Sequence, residues 1–215
     1  MTGDPLEQLR AEASRADYAS MARLARALYA TGLRSRQVLR ECYGVEFPEE
    51  FLVTAGERLP RSKLLANFTN QPWKIGKPAN QGGPPAAATE LTEENERRIF
   101  ARDPDLMPLM ELIGHGTRLE DMMICYRQSG LRAGSTTIFG VRTPVAPDGQ
   151  VEECGESLLA VLHAHHVAYL RHKEWIIRQP WERGEGSYSQ RDVDSAAALV
   201  SRVEALQRQA DASGR

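Results

Sequence analysis

The chain has 215 residues, a hydrophobic content of 41% and a formal net charge of −2, which suffices for one sizeable core with appendages and excludes the basic excess of a general polyanion binder. No window holds the ~18 consecutive apolar residues of a membrane span, and MTGDPLEQLR has no apolar signal core, so a cytoplasmic protein that does not enter a membrane is expected. The cysteines Cys42, Cys125 and Cys154 are scattered singly with no CxxC pair, which predicts free thiols and no zinc.

Asp4-Pro5 reads as an N-cap followed by proline at the first helical position. Leu6, Leu9, Ala13 and Ala16 continue at helical spacing. Met21, Leu24, Ala25, Leu28 and Tyr29 make a second apolar stripe, stopped by Gly32. Ser35 can cap a short helix carrying Val38, Leu39, Cys42 and Tyr43, with Gly44 as its left-handed terminator. Pro48 opens another helix with Phe51, Leu52 and Ala55 on its apolar side.

From Asn70 to Ala88 the sequence NQPWKIGKPANQGGPPAAA is rich in Pro, Gly and Asn, with Trp73 and Ile75 as its bulky anchors. It reads as a long, partly disordered loop or insertion with few residues to fill a core. A polar helix over about 92–101 comes next. The period then changes: LMELI (109–113), MMICYRQ (122–128) and TTIFGV (136–141) are short apolar or β-branched runs separated by glycine-bearing turns. They predict three strands of an antiparallel meander. The turn PVAPDGQ leads towards a helix over about 156–175, and a last amphipathic helix carries Val193, Ala197, Val200, Val203 and Ala210.

Grouped strands between groups of helices predict an α+β fold. The antiparallel-rich central sheet would have helices packed around it, an N-terminal helical hairpin and a C-terminal helix. Residues 1–33 form an N-terminal extension in this reading, 34–180 the α+β domain with its insertion at about 70–88, and 181–215 the tail.

Chemistry is sparse. LHAHHVAYLRHKEW places His163, His165, His166 and His172 in one helical segment. His163 and His166 share a face at three-residue spacing, while His165 and His172 share another. A metal-dependent enzyme would need a further ligand from elsewhere, so neither metal nor cofactor is expected. GxSxG, P-loop and GxGxxG patterns are absent. GHG at 114–116 reads as turn geometry, with His115 a turn residue rather than a general base. MARLARALYATGLRSRQVLRECYG superficially resembles a helix-turn-helix in which Arg23, Arg26, Arg34, Arg36 and Arg40 could meet phosphates. The acidic stretch beginning at Glu41 opposes that, and nucleic acid is the alternative rather than the expected partner.

ECYGVEFPEEFLVTAGE (41–57) has five carboxylates and no Lys or Arg. Glu49 and Glu50 follow Pro48, where a first-turn carboxylate interacts favourably with the helix macrodipole. DGQVEECGE (148–156) again has acids without a base. Two such windows on a nearly neutral chain imply charge sorted over the surface with the arginines elsewhere, which speeds encounter with a basic partner. Glu49, Glu50, Asp148, Glu152, Glu153 and Glu156 are the expected partner-binding residues.

VLRECYGVEFPEEFLVTAGE also resembles the signature of the SUKH superfamily, whose members begin with a helix, a Gly, a short apolar-Pro-acidic step and a second helix ending near Gly. Leu39, Gly44, Phe47, Pro48, Phe51, Leu52 and Gly56 occupy the corresponding kinds of position. PDLMPLMEL, the strands after it and GESLLAVLHAHHVAYL as a closing helix are similar to the family's later order, and the resemblance covers about residues 35–175. It implies an α+β fold and a non-enzymatic immunity protein that binds and neutralises a cognate bacterial toxin, often a nuclease or deaminase. Nuclease toxins tend to be basic, so a carboxylate surface suits such a partner.

Overall fold

Asp4 starts the first helix, α1 (Pro5–Glu12), by accepting the Leu6 N–H at 3.0 Å. The computed structural model describes residues 4–56, 64–81, 83–84, 88, 90–114, 116–145, 149–179 and 188–214. Asp17 caps α2 (Tyr18–Ala30) through the N–H groups of Ala19 and Ser20. Gly44 ends α3 (Ser35–Tyr43) at φ +66°, where an L side chain would be strained. Pro48 leads into α4 (Glu49–Gly56). The helices form on the predicted stripes, but Ser35 is the first residue of α3 and Arg34 stands at its cap, and α1 ends at Glu12, before Ala16.

The sheet has two more strands than expected. β1 (Ala66–Phe68), β2 (Leu106–Leu112), β3 (Met122–Arg127), β4 (Ile138–Arg142) and β5 (Val151–Gly155) lie in the order β1-β2-β3-β4-β5, each antiparallel to its neighbour. The acidic VEECG segment, between the predicted PVAPDGQ turn and the following helix, is thus an edge strand that the sequence reading does not assign. Helix α6 (Gln128–Arg132) occupies a segment that reads as a turn. The meander and the surrounding helices make this an α+β fold.

One sheet face carries Met110, Leu112, Ile124, Tyr126 and Ile138 into a core shared with Leu24, Leu28, Leu39 and Phe51. Leu158 and Leu162 of α7 (Leu158–Ile176) join them. Helix α8 (Gln190–Ser213) lies against α4 and α7 and adds Val203 and Leu206 to the same core. The N-terminal helices and the tail helix, expected as extension and appendage, therefore share the core of the sheet. The opposite face is smaller. Ile99 of α5 (Glu90–Arg102) meets Leu106, Met123, Cys125 and Val141 there, with Phe139 and Val151 half-buried at the margin.

The Pro/Gly-rich segment corrects the sequence reading most. Thr69, Asn70, Gln71, Trp73, Lys74 and Ile75 are all buried. The β2–β3 register slips between Pro108 and Met110, and the carbonyl of the intervening Leu109 takes two N–H donors, the Thr69 backbone at 3.0 Å and the Trp73 indole. The Thr69 hydroxyl sits within bonding distance of the Gln71, Pro108 and Leu109 carbonyls, at 2.5, 3.1 and 2.7 Å. The Trp73 ring lies tilted 4.4 Å from that of Phe51 and edge-to-face 4.8 Å from that of Phe68. Burial of one such aromatic contributes about 2–3 kcal/mol. Polar residues enter this core because each finds a partner inside it.

Candidate protein-binding surface

Three acids of the first window are held by arginines that lie outside it in sequence, while Glu57 lies outside the described residues. Glu41 meets Arg10 at 2.8 Å, Glu46 meets Arg40 at 3.1 Å, and Glu49 meets Arg36. In the second window Glu152 meets Arg118 at 3.3 Å. The expectation that the arginines lie elsewhere is therefore corrected: folding brings them beside the carboxylates. Such exposed pairs contribute little to stability, about 0–1 kcal/mol each, yet they quench the local field.

Glu50 has a different position. Its Oε2 accepts the Leu159 N–H at 2.9 Å, while Ser157 Oγ accepts the Ala160 N–H at 3.3 Å. The two side chains together cap α7, and Glu50 joins the start of α4 to the start of α7. A groove of about 360 Å³ opens beside Glu50, lined on α8 by Glu204, Gln207, Arg208, Ala210 and Asp211.

Glu153 and Glu156 are exposed and make no ion pair among the described residues. Asp148 lies outside the described residues. Glu153 stands on β5 opposite Phe139 of β4, so the two share the sheet face on which Ile99 of α5 packs against Leu106, Met123, Cys125 and Val141. The Arg127 guanidinium lies over the Phe139 ring at 4.9 Å and is committed to Asp103 at 2.9 Å. Val151, opposite Val141, is half-buried on the same face. β5 is the last strand of the sheet and hydrogen-bonds to β4 alone among the described strands.

The histidines diverge. His163 Nε2 is 3.6 Å from Glu204 on α8. His165 bonds the Ile113 carbonyl at 2.9 Å and Thr117 Oγ1 at 3.1 Å. His166 Nδ1 donates to the Leu162 carbonyl at 2.6 Å. His172 stacks on Trp175 at 6.0 Å. Burial pushes the His165 imidazole below its ordinary value and that of His166 down to about 4. Among the described residues, no three His, Cys, Asp or Glu converge on a point that could hold a metal. His115 lies outside them. Gly116 beside it has φ +85°, and a Cβ there would stand 2.3 Å from the His172 ring, so turn and packing together require glycine.

On α2 and α3, Arg23 approaches Glu12 at 3.9 Å, while Arg36 and Arg40 take Glu49 and Glu46. Arg26 and Arg34 are exposed. Cys125 is fully buried as a free thiol, and burial raises it. No described helix is long and apolar enough to cross a membrane.

A buried polar cluster has no counterpart in the sequence reading. The Glu96 carboxylate accepts the Asn70 N–H, and Lys74 Nζ donates to Asn70 Oδ1 at 2.7 Å. The Lys74 ammonium also lies 5.4 Å over the Tyr18 ring. Burial raises the Glu96 carboxyl to about 7 and the Tyr18 phenol to about 12, the former against the backbone N–H groups of Asn70 and Gln71. Gln71 accepts from the Tyr43 hydroxyl at 3.0 Å and donates to the Arg15 carbonyl at 3.1 Å. These contacts seat the 69–76 segment. Only the accumulation of Asn, Gln and Lys around one Trp hints at it in the sequence.

Comparison with protein families, curated proteins and solved structures finds no match.

Proposed function

We infer that the chain is a non-enzymatic binding protein of the immunity type, which neutralises a basic bacterial toxin of the nuclease or deaminase class by occupying its nucleic-acid groove. One observation carries this reading: Glu153 and Glu156, on and beside a terminal strand, are exposed and have no ion-pair partner among the described residues, whereas the other described candidate acids are paired or capping. Fixed negative charge on a rigid sheet accelerates encounter with a cationic cleft and disfavours acidic competitors. The paired acids Glu49 and Glu152 and the capping Glu50 serve chiefly to hold the scaffold. The resemblance to SUKH proteins and the α+β meander agree with this role.

The product of the reading frame adjacent to this gene provides the test. Co-expression should relieve its toxicity, and the purified pair should bind with an affinity that falls as salt rises. Charge reversal at Glu153 and Glu156 should weaken the complex and flatten that salt dependence. A neighbour that is neither toxic nor bound would remove the reading.

A further inference from the structure

We propose that the β5 edge is a strand-pairing site, completed by an extended basic segment of the partner that becomes a sixth strand of the meander. The proposal rests on the toxin-binding reading and says how the partner is gripped. A terminal strand offers backbone N–H and C=O groups to any chain that can lie beside it. Here the side chains specify which chain. On the face away from the main core, the rows Cys125–Phe139–Glu153 and Met123–Val141–Val151 run outward to β5. Ile99 of α5 packs over Leu106, Met123, Cys125 and Val141, while Phe139 and Val151 at the margin of that cluster stay half-buried. A strand laid on β5 would continue both rows. It would cover Val151 with an apolar residue and, two positions along on the same face, set a Lys or Arg opposite Glu153. Glu156, just past the strand, meets a further cation.

A second copy of this chain does not suit the middle of the edge. Antiparallel self-pairing centred on Glu152, Glu153 or Cys154 places two carboxylates opposite one another, which is destabilising. Apolar and cationic residues alternating along one face therefore define the occupant.

The probe is a terminally blocked peptide of two Thr-Val-Thr-Lys repeats, titrated into the full chain. It should slow amide exchange at residues 151–155, and Glu153→Lys should weaken binding about tenfold. Two forms of the peptide, methylated at alternate backbone nitrogens in the two possible phases, keep the charge unchanged. Only the phase whose N–H groups face β5 should lose binding. The proposal is overturned by equal binding of both forms, by protection confined to another element, by no binding at millimolar peptide, or by a β5-paired homodimer. The toxin-binding reading is judged separately on the adjacent-frame protein. If that protein binds while protecting other residues, the reading stands and strand pairing falls.

Discussion

The Glu96 carboxylate accepts the backbone N–H of Asn70 inside the molecule, and through this contact α5 holds a segment whose composition reads as a loop. Lys74 closes the cluster from the other side through Asn70 Oδ1. An acid in such a place stays protonated to unusually high pH, because burial outweighs the donors that favour its charge.

Between about pH 4.5 and 7 the folded chain keeps a proton on Glu96 that the unfolded chain has released. The stability this contributes is complete below pH 4.5 and is lost as pH rises through about 7. Glu96→Gln retains an acceptor for Asn70 and abolishes the titration. Relative to this variant, the wild-type protein should lose up to about 3 kcal/mol between the acid and alkaline ends of that window. Denaturant midpoints across pH measure it, and a constant difference would refute it.

His165 and His166 act in the opposite direction. Both imidazoles are held neutral by burial, His166 down to about 4 against an ordinary value of 6.5. The unfolded chain takes up protons first, so stability falls as pH drops from 6.5 towards 4. In wild-type protein this loss overlaps the Glu96 contribution of opposite sign. In the Glu96→Gln background it should emerge as a plain acid-side decline, with the His166 ring still neutral by NMR at about pH 5.5.

Trp73→Ala should cost about 3–5 kcal/mol, since it empties a site between Phe51 and Phe68 and strips a donor from the Leu109 carbonyl. Asn80→Ala, in the same Pro/Gly-rich stretch but exposed, should change stability by less than about 0.5 kcal/mol. Equal effects at the two positions would show that the stretch does not pack as described.

Glu50→Ala removes one of the two side-chain caps on α7 and should cost about 1 kcal/mol. Glu153→Ala should leave stability unchanged within about 0.5 kcal/mol. In partner binding the order should reverse. Thermal melts and binding isotherms on the two variants separate the scaffold acid from the docking acid.

Strands β2, β3 and β4 are legible because Met, Leu, Ile and Val crowd into short runs. β5 is not, because an edge strand can hold Glu152 and Glu153 in water and so reads as surface charge. β1 spans only Ala66–Phe68, too short for a period to show. The polar 69–76 segment hides for another reason: its burial depends on the Leu109 carbonyl and on Glu96, partners distant in sequence. The ion pairs Arg10–Glu41 and Arg118–Glu152 are invisible on the same ground. The first-turn placement of Glu49 and Glu50 was readable from Pro48. That Glu50 caps a different helix was not, because the packing of α4 against α7 decides it.

The strand order has a kinetic consequence. Each strand bonds only to its neighbours along the chain, so the sheet can zip from hairpin to hairpin without a crossover. The exception is the span 69–105 between β1 and β2, which carries the Trp73 segment and α5. Closing so long a connection costs more chain entropy than closing the β3–β4 turn. The rate-limiting step of folding should therefore be the docking of Trp73 and α5, with β2, β3 and β4 already paired.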